Sequence, residues 1–94
     1  YKLGTTKRFD KALKLCQKRG YPITELKKAI ALLVENGNLP SEYKPHILHG
    51  NHEGEWEAHI RPNWLLIWEQ NDDELTLLML TTGTHSDVFG KTRR

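Results

Sequence analysis

The stretch Trp56–Trp68, WEAHIRPNWLLIW, decides the fold of this 94-residue chain. Its first six residues alternate between apolar and polar side chains, which is typical of a strand with one buried face. Pro62-Asn63 then predicts a turn. The continuous apolar run Trp64–Trp68 predicts a central strand that is covered on both faces. Together these segments predict an antiparallel hairpin in the middle of a sheet.

The segments on either side of this hairpin complete an α+β domain. After it, Asn71-Asp72-Asp73 predicts a turn, and Gly83 breaks the strand that follows. Before it, apolar residues at three- and four-residue spacing predict two helices, ended by Gly20 and by Asn36-Gly37. The predicted segments are a strand at 1–5, helices at 7–19 and 22–35, a loop at 38–54, strands at 55–61, 64–68 and 74–82, and a closing segment at 84–90.

This order predicts an N-terminal strand, an antiparallel helical hairpin and then an antiparallel sheet of about three further strands, with the helices on one face. The length fits a single domain over residues 1–94, with 91–94 as a flexible tail. The formal charge of +2 is too small to identify a nucleic-acid partner. A lone cysteine, Cys16, and the lack of a membrane span or a signal peptide favour a cytoplasmic protein.

Histidines are concentrated next to the hairpin. Four of the five lie within His46–His59, and the fifth, His85, lies in the closing segment. Such density indicates acid–base chemistry, metal binding or a proton-sensitive surface. Strand alternation places His59 on the same face as Glu57 and Arg61, and it leads through the last strand towards His85. We therefore expect His46, His59 and His85 to be able to meet.

Metal binding is an alternative for these histidines. His46, His49 and His52 recur at three-residue intervals, and together with His59 they could hold zinc. Structural zinc sites usually contain thiolates, however, and Cys16 belongs to the apolar stripe of the first predicted helix. We therefore expect no metal and no other cofactor.

Three blocks of sequence resemble the YafQ branch of the RelE/ParE toxin superfamily. The resemblance covers nearly the whole chain and depends on the order of the blocks. They are Tyr43-Lys44 with His46, Leu48 and Gly50; Ala58-His59 with Pro62 and Trp64; and Thr82–His85 with Phe89-Gly90.

The resemblance implies a RelE-like fold and the toxin of a type II toxin–antitoxin system. It implies a ribosome-dependent endoribonuclease that cuts mRNA in the 30S A site without a metal. A ribose 2′-OH would attack the adjacent phosphate, with histidine as acid and base. The implied partners are the ribosome, mRNA and a cognate antitoxin in a hetero-oligomer, and no membrane.

Carried over by position, the catalytic residues are His46, His59 and His85, and Phe89 orients the RNA. Lys44, Arg61 and Asn63 complete the set that we expect to bind or orient RNA. His49 and His52 match nothing in the family and are interpreted as solvated loop residues.

Two positions depart from the family pattern. Asn63 replaces an aspartate and cannot ionise, and Thr81 stands where a basic residue is usual. We hypothesise that Arg61 supplies the missing charge. The departures keep a second function open, a toxin of the same fold that inhibits a protein such as gyrase and has no nuclease activity. The three histidines favour the nuclease.

Overall fold

A computed structural model describes residues 1–90 of the protein, so the predicted tail at 91–94 lies outside the described residues. The predicted α+β class is confirmed. The elements are β1 (Lys2–Thr5), α1 (Lys7–Lys18), α2 (Ile23–Asn36), β2 (His46–Ile47), β3 (Trp56–Arg61), β4 (Trp64–Asn71), β5 (Thr76–Gly83) and α3 (His85–Phe89), with 3₁₀ turns at Ser41–Tyr43 and Gly50–His52.

The two long helices begin and end where local chemistry requires. Thr6 Oγ1 accepts the Phe9 N–H at 3.0 Å and so caps the start of α1. The same hydroxyl donates to the Leu80 carbonyl at 2.9 Å, which ties this helix end to β5. Gly37 ends α2 in the left-handed region, at φ +73°. None of the helices within residues 1–90 is long and apolar enough to cross a membrane.

The sheet has five strands in the order β1-β5-β4-β3-β2. All pairings are antiparallel except that of β1 with β5, which is parallel. The helical hairpin carries the chain from β1 at one edge of the sheet to β2 at the other edge, and β3, β4 and β5 then fill the space between them. The 38–54 segment, predicted as a loop, also contributes β2, because His46 and Ile47 pair with Glu57 and Trp56 at the edge of β3.

The central strand β4 is covered on both faces, as its apolar run predicts. All five residues of Trp64–Trp68 are at most 2% exposed. Trp64, Leu66 and Trp68 pack in the main core with the helices, whereas Leu65 and Ile67 pack with Val88 of α3 on the opposite face. We call this opposite face, which α1 and α2 leave uncovered, the open face.

A β-bulge interrupts β3 near its end. His59 pairs with Leu65, but Arg61 pairs with Trp64, so β3 advances two residues while β4 advances one. Paired residues of antiparallel strands point to the same side of a sheet. His59 therefore shares the open face with Leu65, whereas Arg61 shares the helix face with Trp64. The predicted placement of Arg61 beside His59 on one strand face is wrong for this reason.

Candidate active site

Two of the predicted catalytic histidines meet at a single carboxylate. His46 Nε2 lies 3.0 Å from Glu57 Oε1, and His59 Nε2 lies 3.7 Å from the same oxygen. Both are ion-pair contacts, in which each ring is charged only when it is protonated. Glu57 is only 7% exposed. A carboxylate with so little access to water is a strong local source of negative charge for both rings.

The second nitrogen of His46 contacts the backbone of the preceding loop. His46 Nδ1 lies 2.9 Å from the Lys44 carbonyl oxygen, which can only accept a hydrogen bond. The ionised Glu57 carboxylate is also only an acceptor. Both contacts are therefore made together when both ring nitrogens carry protons. When both nitrogens carry protons, the ring is a cation that can face a phosphate or give up a proton.

The strand register explains how these residues come together. Across the open face, His46 pairs with Glu57, Glu57 with Ile67, and Ile67 with Thr81. In the next row, His59 pairs with Leu65 and Leu65 with Gly83. The chain leaves β5 at Gly83 and reaches His85 two residues later. The three histidines thus come from β2, β3 and the start of α3, on or beside one face.

His85 lies in a second cluster, built around an aromatic ring. Its imidazole is tilted against Phe89, with ring centroids 4.8 Å apart, because residues four apart on a helix share a side. On another side of Phe89, the His52 ring packs edge-on at 5.0 Å. His52 Nδ1 is in turn 3.1 Å from Glu55 Oε1. Phe89 is thus in contact with two imidazoles, and His52 is not the solvated loop residue that the sequence suggested. His49 is exposed, as expected.

The other residues expected to bind RNA lie around these clusters. Lys44 and Arg61 line a cavity of about 280 Å³ with His59. The Arg61 guanidinium, however, donates to both carboxylate oxygens of Glu25 on α2, at 2.9 and 2.5 Å. The hypothesis that Arg61 replaces the charge missing at Thr81 therefore lacks the shared strand face on which it was based.

Asn63 and Thr81 are separated in space. Asn63 is exposed in the β3–β4 turn and lines a cavity of about 430 Å³ with Tyr21 and Trp64. Thr81 is 3% exposed and pairs with Ile67 on the open face. Its hydroxyl carries no charge, so Thr81 adds no cation to this part of the face.

The four histidines of the zinc alternative are not arranged around a common point. Across residues 1–90, no three His, Cys, Asp or Glu side chains are grouped so as to hold a metal ion. His46 and His59 turn to Glu57, whereas His52 turns to Glu55 and Phe89. The donor set proposed from the three-residue spacing is therefore absent from the described residues.

Glu57 is the residue of this site that sequence reasoning missed. Alternation placed it on the face of His59, but no role followed from that. The signal was its position two residues before His59, because residues two apart share a strand face and the carboxylate can contact the His59 ring. With Glu57 included, the site offers a buried negative charge, two imidazoles on it, and a third imidazole beside an aromatic ring.

Comparisons with known proteins agree on one family. A family model described as the bacterial toxin of type II toxin–antitoxin systems, YafQ, matches residues 1–90. The mRNA interferase toxin YafQ of Escherichia coli strain K12 is 40% identical over 83 residues, which cover 87% of this chain and 88% of that protein.

Solved structures show the same similarity. The E. coli DinJ–YafQ complex matches with a TM-score of 0.85 and 37% identity, over 94% of this chain and 97% of the matched one. A metal-bound toxin from Helicobacter pylori matches with a TM-score of 0.84 and 34% identity, over 94% and 98% of the two chains.

Proposed function

Because the chain belongs to the YafQ family of toxins of bacterial type II toxin–antitoxin systems, we propose that it is an mRNA interferase. It cuts mRNA on the ribosome, in the 30S A site, and so stops translation in the cytoplasm. The observation that supports a nuclease best is the Glu57 carboxylate between His46 and His59. A toxin that only binds a protein has no need of a buried charge that orients two imidazoles.

The proposed reaction is the attack of a ribose 2′-OH on the adjacent phosphate. It forms a 2′,3′-cyclic phosphate and releases a 5′-hydroxyl, so one proton must leave the nucleophile and one must reach the leaving oxygen. We assign the base to His59, since Glu57 stabilises the positive charge that the ring gains. His85, which lies apart from Glu57, supplies the proton to the leaving oxygen. His46 faces the phosphate as a cation.

The reaction as proposed needs no metal and no cofactor, since the protein supplies both proton carriers and a cation. Support comes from the geometry, because His46 and His59 are already engaged by Glu57. The related toxin from H. pylori has been solved with a metal, so this proposal needs its own test. Toxin that has been stripped with a chelator and then dialysed should cleave mRNA on Mg²⁺-containing ribosomes as fast as untreated toxin, and added Zn²⁺ or Cu²⁺ should not raise that rate.

RNA contacts are proposed for the residues that surround the imidazoles. Phe89 offers a ring face to a base, and Lys44 offers a charge to a phosphate at the cavity it shares with His59. Arg61 lines that cavity, whereas Asn63 lines the adjacent cavity of about 430 Å³, and Arg61 would contact RNA only by leaving Glu25. The cognate antitoxin is the proposed inhibitor in a toxin–antitoxin hetero-oligomer, by analogy with the DinJ–YafQ complex of E. coli.

Primer extension on mRNA in translating ribosomes tests the function. The wild-type chain should produce discrete cuts with 5′-hydroxyl ends, and His85→Ala and His59→Ala should each lower the cleavage rate by about 100-fold or more. His49→Ala is the matched control, because this histidine is exposed and lies outside both clusters. No cleavage by wild type, with translation or gyrase still inhibited, would favour a protein-binding toxin instead.

A further inference from the structure

The short helix α3 carries His85 at its first residue and Phe89 at its last. A five-residue helix cannot hold its own conformation in water, because nucleation costs more than one turn of hydrogen bonds returns. The placement of both rings therefore depends on contacts between α3 and the rest of the protein. Those contacts centre on Asp87.

The carboxylate of Asp87 takes part in two sets of contacts, one within α3 and one with Arg19. Within α3, its Oδ2 accepts the Thr84 N–H at 2.9 Å, and Thr84 Oγ1 accepts the Asp87 N–H at 3.2 Å, which closes a capping box. From outside, Arg19 donates to both oxygens, at 2.5 Å from Nη1 and 3.2 Å from Nη2. This paired geometry fixes the direction of the carboxylate as well as its distance.

A second arginine of the same long helix contacts the end of α3. Arg8, near the start of α1, donates from Nη2 to the Val88 carbonyl at 2.8 Å. This carbonyl belongs to the last turn of α3, where backbone acceptors lack partners inside the helix. Arg8 and Arg19, both contributed by the N-terminal part of the chain, thus hold two adjacent residues of α3.

The fit between α3 and the end of β5 is close enough for a small shift to matter. A side-chain carbon added at Gly83 would come within 2.8 Å of Asp87 Oδ2. Gly83 also has φ +143°, a conformation that side chains rarely adopt. Asp87 therefore lies directly on the strand end, and Val88 beside it is buried against Leu65 and Ile67.

From these contacts we propose that the Arg19–Asp87 ion pair is the positioning device of the active site, which sets His85 and Phe89 relative to the His46–Glu57–His59 cluster. The proposal rests on the proposed nuclease function. Neither Arg19 nor Asp87 touches the reacting atoms of the proposed reaction. Their effect on the reaction comes through the position of α3.

The two halves of the proposed site need a link because they belong to different elements. His46, Glu57 and His59 are fixed by strand pairing at one side of the sheet, whereas His85 follows the last strand. No described hydrogen bond or ion pair joins His85 or Phe89 directly to Glu57. If α3 swings by about 1 Å, the distance between base and acid changes by the same amount, which can cost on the order of 100-fold in rate.

The test uses Arg19→Gln and Asp87→Asn in single-turnover cleavage of mRNA on ribosomes with toxin in excess. Asparagine keeps an oxygen that can accept the Thr84 N–H, so this variant removes the charge and spares the cap. We expect each single variant to lower the maximal rate by about 10-fold or more, with the half-saturating toxin concentration changed less than about 2-fold. The double variant should be no slower than either single one, since both remove one interaction.

Lys18→Gln is the matched control. It removes one positive charge from the last turn of α1, next to Arg19, and Lys18 is exposed. A weaker electrostatic attraction to ribosomal RNA would raise the half-saturating concentration in Lys18→Gln and Arg19→Gln alike. An equal loss of maximal rate in Lys18→Gln would overturn the proposal.

Amide hydrogen exchange gives a reading that does not depend on activity. The Val88 and Gly90 amides, which donate to Thr84 and Ser86 carbonyls, should exchange at least about 10-fold faster in both variants, while the amides of β4 keep their protection. Unchanged exchange in α3, loss of protection in β4 as well, or a wild-type rate with a loosened α3 would each overturn the proposal. If the wild type fails to cleave, the nuclease function fails, and hydrogen exchange still decides whether the pair holds α3.

Discussion

Glu57 is the residue on which the proposed chemistry depends most directly. We predict that Glu57→Gln lowers the maximal rate of cleavage by about 10- to 100-fold, because the amide keeps an acceptor for His46 but removes the charge that stabilises protonated His59. Single-turnover cleavage on ribosomes measures this rate. Glu55→Gln is the matched control, since Glu55 contacts His52 instead. Equal rates for Glu57→Gln and wild type would show that the carboxylate has no part in the reaction.

The contacts of His52 could not be predicted from the sequence. The lack of a period assigned it to a loop, and no pattern links residue 52 to residue 89. The contact exists because the Gly50–His52 turn brings the ring to Phe89, where Glu55 holds Nδ1. Contacts of this kind follow from tertiary packing. By contrast, His46 and His59 could be placed together, because the loop that carries His46 leads directly into the strand that carries His59.

At the scale of the elements, apolar spacing and turn residues predict the helices and the strands β3, β4 and β5. They do not predict the bulge in β3. Alternation assumes that every residue advances the strand by one step, so one extra residue reverses the side on which Arg61 lies. The parallel pairing of β1 was likewise missed, since no local signal tells a strand which neighbour it will join. The two-residue β2 is too short for any period to be read.

The Arg19–Asp87 link between α1 and α3 has a consequence for stability at acid pH. Hydrogen bonding from Arg19 lowers the pKa of Asp87 from 3.8 to about 2. A carboxylate whose pKa is lower in the folded state stabilises the fold above its unfolded pKa, and this contribution disappears as the pH falls through the folded value. The window therefore runs from about pH 4 down to about pH 2. Since the pair is partly exposed, we expect about 1 kcal/mol.

Urea unfolding of wild type and Asp87→Asn at about pH 5 and about pH 2 measures this contribution. At the higher pH the wild type should be more stable than Asp87→Asn. This difference between the two proteins should disappear at the lower pH. The pKa values of Glu25 and Asp72 are also lowered, by Arg61 and by Gln70 respectively, but these groups titrate in both proteins and cancel in the comparison. A difference that is the same at both pH values would mean that the charge of Asp87 does not contribute.

For the whole molecule, the distribution of charge matters more than its sum of +2. Arg8 and Arg19 of the α1 region are engaged with α3, which leaves exposed lysines to meet a large anionic partner. They include Lys7, Lys11 and Lys14. Lys11 and Lys14 are three residues apart and so neighbours on the helix surface. If α1 lies along ribosomal RNA, these lysines displace counterions from phosphates, and binding weakens steeply with salt.

We predict that replacing Lys11 and Lys14 by glutamine reduces the slope of log affinity against log salt by on the order of one unit per lysine. The measurement is ribosome binding by a His85→Ala background, in which mRNA stays intact, over a range of salt concentrations. Lys2→Gln is the control, because it removes the same charge from β1 in the sheet. A control that changes the slope as much per charge would mean that binding senses net charge alone. A selective effect would locate the ribosomal RNA on the α1 side of the protein.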